Sequence, residues 1–262
     1  MNDKSIQRLI RSITLSKNQF SLTLAYCNYT NLRNSLLSSI REQSNLDIRE
    51  IVLPQRVTTL FTMIKDALRH STPDSAMVIG LESVSNIDDI FRSANQIREE
   101  FRNHFPFPLI FWVNESVLNR FVRMAPDFKS WAASPIFFEA SYDELTAVFK
   151  EKFDQWLTDI QSTDIELIDA NDIDTFLKAF HADISKQSKK LPKIHQAGLF
   201  LLQGLRAHLL KDHETAIKAY HNAIGLSKGT GDRTLQSIIL NCLGRCHEKN
   251  KDLGQAQKYF QA

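Results

Sequence analysis

The sequence predicts an α/β chain of two parts. A doubly wound, mainly parallel, five-stranded domain is expected over residues 1–162, and an all-α segment of repeated helix pairs over residues 193–262, with a helical linker at 163–192. Three observations predict this. Short apolar runs alternate with helix-spaced segments through the first half, the pattern of a parallel sheet wrapped in helices. The strand pattern stops near residue 163. Beyond 193 the sequence repeats with a period of 40 residues, which points to stacked helical units.

The elements follow in order. Residues 4–15 place Ile6, Leu9, Ile10 and Ile13 at helical spacing. Residues 20–27 read as the first strand, and 31–41 as a helix through Leu32, Leu36, Leu37 and Ile40. A second strand at 48–53 ends at Pro54, and 57–68 carries Leu60, Ile64 and Leu68 on one helical side. The continuous apolar runs 76–81 and 108–113 suit strands covered on both faces, with a helix at 87–101 between them. Asn114 or Ser116 caps a helix running to Met124. Residues 126–133 read as irregular and 136–139 as the last strand. Ser141 and Glu144 form a capping box that opens the final helix of this domain. Residues 165–184 are helical and acidic, and 186–193 are a basic hinge holding Pro192.

Composition narrows the function. Apolar residues make up 43% of the chain, enough for a core, and the net charge is +2 with acids and bases mixed. That mixture argues against an obligate nucleic-acid binder, which shows a basic stripe. Cys27, Cys242 and Cys246 are too few and too unevenly placed for a disulfide framework, so a reducing, cytoplasmic setting is expected. No apolar run approaches the roughly 20 residues of a membrane span, and the start of the chain lacks a signal-peptide core. Cys242 and Cys246 lie four apart on one helix face, as packing residues or half of a metal site whose other ligands the sequence does not supply. His208, His213 and His221 stand five and eight apart rather than at ligand spacing, so they are expected at the surface, and no metal is expected. Asp169, Asp172 and Asp174 lack the glycine and closing glutamate of a calcium loop. Cys27 has no paired histidine and no nucleophile elbow occurs, so hydrolase chemistry has no support.

Within the repeats, Gly204, Ala216 and Tyr220 recur as Gly244, Ala256 and Phe260. Small residues let paired helices approach, and the aromatic fills the gap toward the next helix. This pattern resembles the tetratricopeptide (TPR) family in a longer form with a glycine-rich turn, here residues 228–232. Three residues after the glycine, where the family carries an aromatic, stand Ala207 and His247. The resemblance implies a groove that docks a protein or peptide, with His208 and His247 as candidate contacts. The second unit stops at Ala262 without a cap, so a longer native array and self-association through that end are expected.

In the α/β half the test is phosphate chemistry. Backbone N–H groups must approach a phosphate closely, yet the turn from Cys27 to Arg33 has no glycine and residues 1–197 hold one, Gly80. Tyr29 would crowd a phosphate, and no Gly-Lys-Ser/Thr occurs. Glu82 ends an apolar run where α/β ligands bind, or is a solvated acid before a helix. Asn28 and Asn114 line the same edge or cap helices. Arg98 contacts a phosphate or is ion-paired. Asp127, Ser130 and Trp131 form a recognition loop, or Trp131 plugs the core. The run 76–83, with Leu81 and Glu82 where a Walker B strand carries its acid pair, joins 95–100, 108–114 and 125–131 in a second resemblance. These stretches resemble the N-terminal domains of large bacterial, notably cyanobacterial, TPR proteins related to STAND-type signalling NTPases, over roughly residues 5–160. The resemblance implies ATP-driven switching in members with an intact phosphate loop. With that loop and the first acid missing, it implies here a non-enzymatic signalling scaffold: a pseudo-NTPase without cofactor, coupled to a TPR surface. One alternative is a nucleotide-dependent switch with an atypical pocket at Asn28, Glu82, Arg98 and Asn114. The other is a nucleic-acid-associated regulator resting on residues 186–193.

Overall fold

The computed structural model describes residues 2–69, 71–162 and 165–261; the first linker residues, 163 and 164, and Ala262 lie outside the described residues. The chain divides into two compact units, Met1–Ala140 and Ser141–Ala262. This division falls ahead of the boundary expected near 163. Helix α8 (Tyr142–Ser162) was expected to close the α/β domain, but its buried Phe149, Phe153 and Trp156 pack within the helical unit. The capping box at its start is present, with Ser141 N–H donating to Glu144 Oε2 at 2.7 Å and Glu144 N–H to Ser141 Oγ at 3.3 Å.

The first unit runs α1 (Asp3–Leu15), β1 (Ser21–Tyr26), α2 (Thr30–Gln43), β2 (Ile48–Val52), α3 (Leu60–Leu68) and β3 (Ser75–Ile79). It continues α4 (Ile87–Gln96), α5 (Arg98–His104), β4 (Pro108–Val113), α6 (Glu115–Met124), α7 (Pro126–Ser130) and β5 (Ile136–Phe137). The five strands are all parallel, in the order β2-β3-β4-β1-β5. Every residue of β3 and β4 is buried, as their unbroken apolar runs require of strands covered on both faces. One face packs against α3, α4, α6 and α7 in a core rich in rings, including Phe91, Phe111, Phe121 and Phe128. The connection from β1 back to β2 crosses the sheet in the opposite sense. Right-handed crossovers then put α2 on the other face, where α1 touches both it and β5.

Three local expectations change. The segment 87–101 breaks at Ile97, and Arg98 Nη1 bonds the Asn95 carbonyl there at 2.8 Å. Residues 126–133 are not all irregular: Pro126 starts α7, and Phe128 N–H donates to Asn95 Oδ1 at 2.9 Å. Strand β5 ends at Phe137 rather than 139. Beyond it the side-chain amide of Asn2 holds both backbone groups of Glu139, at 2.9 and 3.0 Å, an edge blocked by the chain itself.

The second unit is α8, a 3-10 turn (Ile165–Leu167), α9 (Ala170–Ile184), α10 (Lys193–Leu209), α11 (His213–Ser227), α12 (Arg233–Lys249) and α13 (Leu253–Phe260). Residues 165–184 are therefore not one helix; Asp169 caps α9 by accepting from Asn171 N–H at 2.8 Å. The helices pair as α8/α9, α10/α11 and α12/α13, and successive pairs touch. A Cβ on Gly204 would lie 2.5 Å from the Tyr220 ring, and one on Gly244 would overlap Phe260. Each glycine is thus the site where the paired helix lays its aromatic. Phe180, forty residues before Tyr220, is fully buried in α9 and packs on Phe149 and Phe176.

Candidate functional site

Parallel α/β sheets bind ligands at the carboxyl ends of their strands, in the crevice where neighbouring connections leave in opposite directions. Here β1 and β4 are neighbours. The connection after β1 leads to β2 on one side, and the one after β4 passes β1 to reach β5. Asn28 and Asn114 stand at these two ends, and both serve α6. Asn114 Oδ1 accepts from Val117 N–H at 2.9 Å, and Asn28 Oδ1 accepts from Glu115 N–H at 3.0 Å. The first-turn amides that would attract an anion are thereby engaged by two asparagines of the same chain. Asn28 Nδ2 donates in turn to the Tyr26 hydroxyl at 3.1 Å.

Glu82 reaches the same edge because Gly80, at φ +88°, turns the chain out of β3 into a 3-10 turn (Leu81–Ser83). A side chain there would be strained, and its Cβ would lie 3.1 Å from the Leu53 carbonyl oxygen. Glu82 Oε1 accepts from Arg33 Nη1 at 2.6 Å. Arg33 lies in the first turn of α2, is only 9% exposed, and leaves Nε without a hydrogen-bond partner. Sequence reasoning missed it, although a signal existed: a cation at a helix N-terminus opposes the helix dipole and calls for an acid nearby. Leu81, at the position of a first Walker B acid, is fully buried in the core. A carboxylate at that point would sit in hydrocarbon rather than face a metal ion.

Arg98, Asp127, Ser130 and Trp131 do not join this site. Helix α4 leaves the carboxyl edge and its ten residues carry the chain about 15 Å, so Arg98 stands at the opposite, amino edge. The expected four-residue pocket of Asn28, Glu82, Arg98 and Asn114 is therefore not assembled. Arg98 Nη1 lies 3.8 Å from Asp127 Oδ2, Asn95 Nδ2 donates to that same oxygen at 3.2 Å, and Ser130 Oγ donates to the Asp127 carbonyl at 2.6 Å. Trp131 meets Phe20 and Phe128 edge-on, with the Arg102 guanidinium 4.1 Å above its ring. These contacts hold α7 and Trp131 against α4, α5 and Phe20 just before β1.

In the helical unit a groove of about 550 Å³ runs between α9, α10 and α11, lined by Asp174, Lys178, His181, Gln203, Arg206 and Thr215 among others. Asp174 pairs with Lys178 at 2.7 Å and with Arg206 at 2.6 Å. The Lys178 hydrogen bond, aided by the Arg206 charge, holds its carboxyl below the usual carboxylate range. His247 takes the place of the expected aromatic as an aromatic: its ring stacks on Tyr259 at 5.3 Å, and Nδ1 lies 3.4 Å from Asp252. His208, expected at the surface, is only 6% exposed. It sits at the close of α10, where the tight turn into α11 brings the His213 ring to 5.8 Å. Burial pushes its imidazole pKa down, and the charges of His213 and Lys249 add to that.

Cys242 and Cys246 are buried in α12, and burial pushes their thiols up to about 12 and about 11. Nucleophilic cysteines need the reverse. Among the described residues no three His, Cys, Asp or Glu side chains are grouped to hold a metal ion, and no helix is long and apolar enough to cross a membrane. No protein-family model matches this chain, and comparison with curated proteins finds no match.

Proposed function

We propose that the chain is a non-enzymatic protein-interaction module, in which a pseudo-NTPase α/β domain is coupled to a TPR-like helical array that docks a protein or peptide segment. The observation that carries this reading is the packing repeated at forty residues, Gly204 on Tyr220 and Gly244 on Phe260, beside an open groove of about 550 Å³. Stacked helix pairs bury their cores against neighbours and leave extended faces for recognition. At the sheet edge, Asn28, Asn114 and the Arg33–Glu82 pair take the places that phosphate oxygens would need. That supports a nucleotide-type framework retained for its shape. The three cysteines are buried and none is in a disulfide, which favours a reducing, cytoplasmic setting.

The test is a peptide selected by display against the full chain, its affinity measured by calorimetry for wild type and Gln203→Trp. Filling the groove should weaken binding at least about tenfold, equivalent to about 1.4 kcal/mol. Selected peptides that bind both proteins equally would remove the groove from the reading.

A nucleotide-dependent switch is the second reading. It is favoured by Arg33 Nε, buried without a hydrogen-bond partner in the first turn of α2. Thermal shift with ATP, ADP and GTP decides it. At a hundred times its dissociation constant a ligand adds about 2.7 kcal/mol of stability, so no shift at millimolar nucleotide ends this reading.

A further inference from the structure

We propose that the helical unit carries an anion-binding pocket for a phosphoryl group, formed by Lys211, Lys249, His208 and His213 where the α10–α11 turn meets the end of α12. It lies apart from the α9–α11 groove and stands whether or not a peptide docks there. The hollow has a volume of about 490 Å³ and is lined by Glu166, His208, Leu209, Lys211, His213 and Lys249. Among the described residues, two ammonium groups and two imidazoles thus line the hollow with one carboxylate. That carboxylate is already matched, because Glu166 Oε1 lies 2.5 Å from Lys249 Nζ.

The backbone fixes the other members. Lys211 occupies the left-handed region at φ 64°, and its N–H closes the end of α10 by donating to the His208 carbonyl at 2.9 Å. His213 opens α11, with Nδ1 3.7 Å from Cys246 Sγ. His208 lines the hollow although nine-tenths buried, and its Nδ1 has no hydrogen-bond partner. The charged groups that act on it are His213 of α11, Lys249 and Arg245 of α12 and Glu166 of the 3-10 turn. Among the described residues these cations outnumber the acid and add to burial in disfavouring a charged imidazole; a bound anion would oppose the charge part.

The chemistry selects phosphoryl over carboxylate. Among the described residues no guanidinium lines the hollow to grip a carboxylate in the bidentate manner, whereas lysines bind phosphate as point charges. A phosphoryl group carries about −1.5 to −2 charges near neutral pH, which matches Lys211 and a protonated imidazole once Lys249 has answered Glu166.

The experiment is an imidazole NMR titration of the full chain with inorganic phosphate near pH 6.5, at ionic strength held constant with chloride. The expected result is a saturable His208 shift with a dissociation constant of about 1 mM or tighter, and an imidazole pKa that rises on binding. Lys211→Ala removes an exposed side chain that the fold does not need, as circular dichroism will verify, and should weaken binding about fivefold. A second arm compares a phosphoserine peptide with its serine counterpart. Tighter binding of the phosphopeptide than of phosphate identifies a modified side chain as the source, and the reverse identifies a free phosphoryl compound. The proposal is overturned if chloride moves His208 as far as phosphate does, or if Lys211→Ala leaves a saturable response unchanged.

Discussion

An arginine only 9% exposed as a residue needs a counter-charge, and Arg33 has one in Glu82 at 2.6 Å. The two partners are unequal: the Arg33 side chain is 11% exposed and that of Glu82 is 25% exposed. Removing the acid strands a buried cation, whereas removing the base leaves a carboxylate that water still reaches. Breaking a fully buried pair costs about 3–5 kcal/mol. With Glu82 partly wet, Glu82→Gln should cost about 2 kcal/mol and Arg33→Met less than about 1 kcal/mol. Urea titration of fluorotryptophan-labelled protein, followed by the fluorine signals of Trp112 and Trp131, reads the α/β unit alone. Equal losses for the two variants would sink this account of the edge.

At the scale of elements, close helix approach was legible and its exceptions were not. Gly204 with Tyr220 and Gly244 with Phe260 stand out in the sequence because only glycine leaves room for a ring against a helix backbone. The pair α8/α9 escaped notice because Phe176 stands where that pattern has alanine, and it stacks on Phe180 at 5.6 Å instead. The buried strands were legible as unbroken apolar runs, since both faces are covered. The candidate site was legible only as positions. Asn114 could cap or bind, and the geometry that decides between these comes from strand order, which periodicity does not encode. The helix contacts give a paired prediction. Gly204→Ala drives a methyl to 2.5 Å from the Tyr220 ring and should destabilise the helical unit by about 2 kcal/mol. Gly225→Ala, with nothing within 4 Å of its new methyl, should stabilise it by about 0.5 kcal/mol through helix propensity. Thermal melts followed at Trp156 test both. Two changes of the same sign would contradict the packing account.

For the molecule as a whole, the two units should respond differently to acid. In the helical unit, burial and then Lys150 lower the His195 imidazole, and burial with His213 and Lys249 lowers that of His208. A lowered imidazole pKa means that the unfolded chain takes up the proton more readily than the folded one. The contribution to stability is therefore complete above the ordinary value of 6.5 and is lost as pH falls through the folded values. In the α/β unit the clear shift among the described residues is that of Asp74, whose carboxyl the Lys17 hydrogen bond lowers. That contribution persists above the ordinary value of 3.8 and is lost only below it. Between pH of about 7.5 and 5, the transition seen at Trp156 should fall by on the order of a few degrees relative to the one seen at Trp112 and Trp131. Because phosphate would oppose the change at His208, the melts belong in phosphate-free chloride buffers. His195→Gln and His208→Gln together should flatten the difference. Parallel descent of both transitions, or a slope unchanged in the double variant, would show that these imidazoles do not set the acid response.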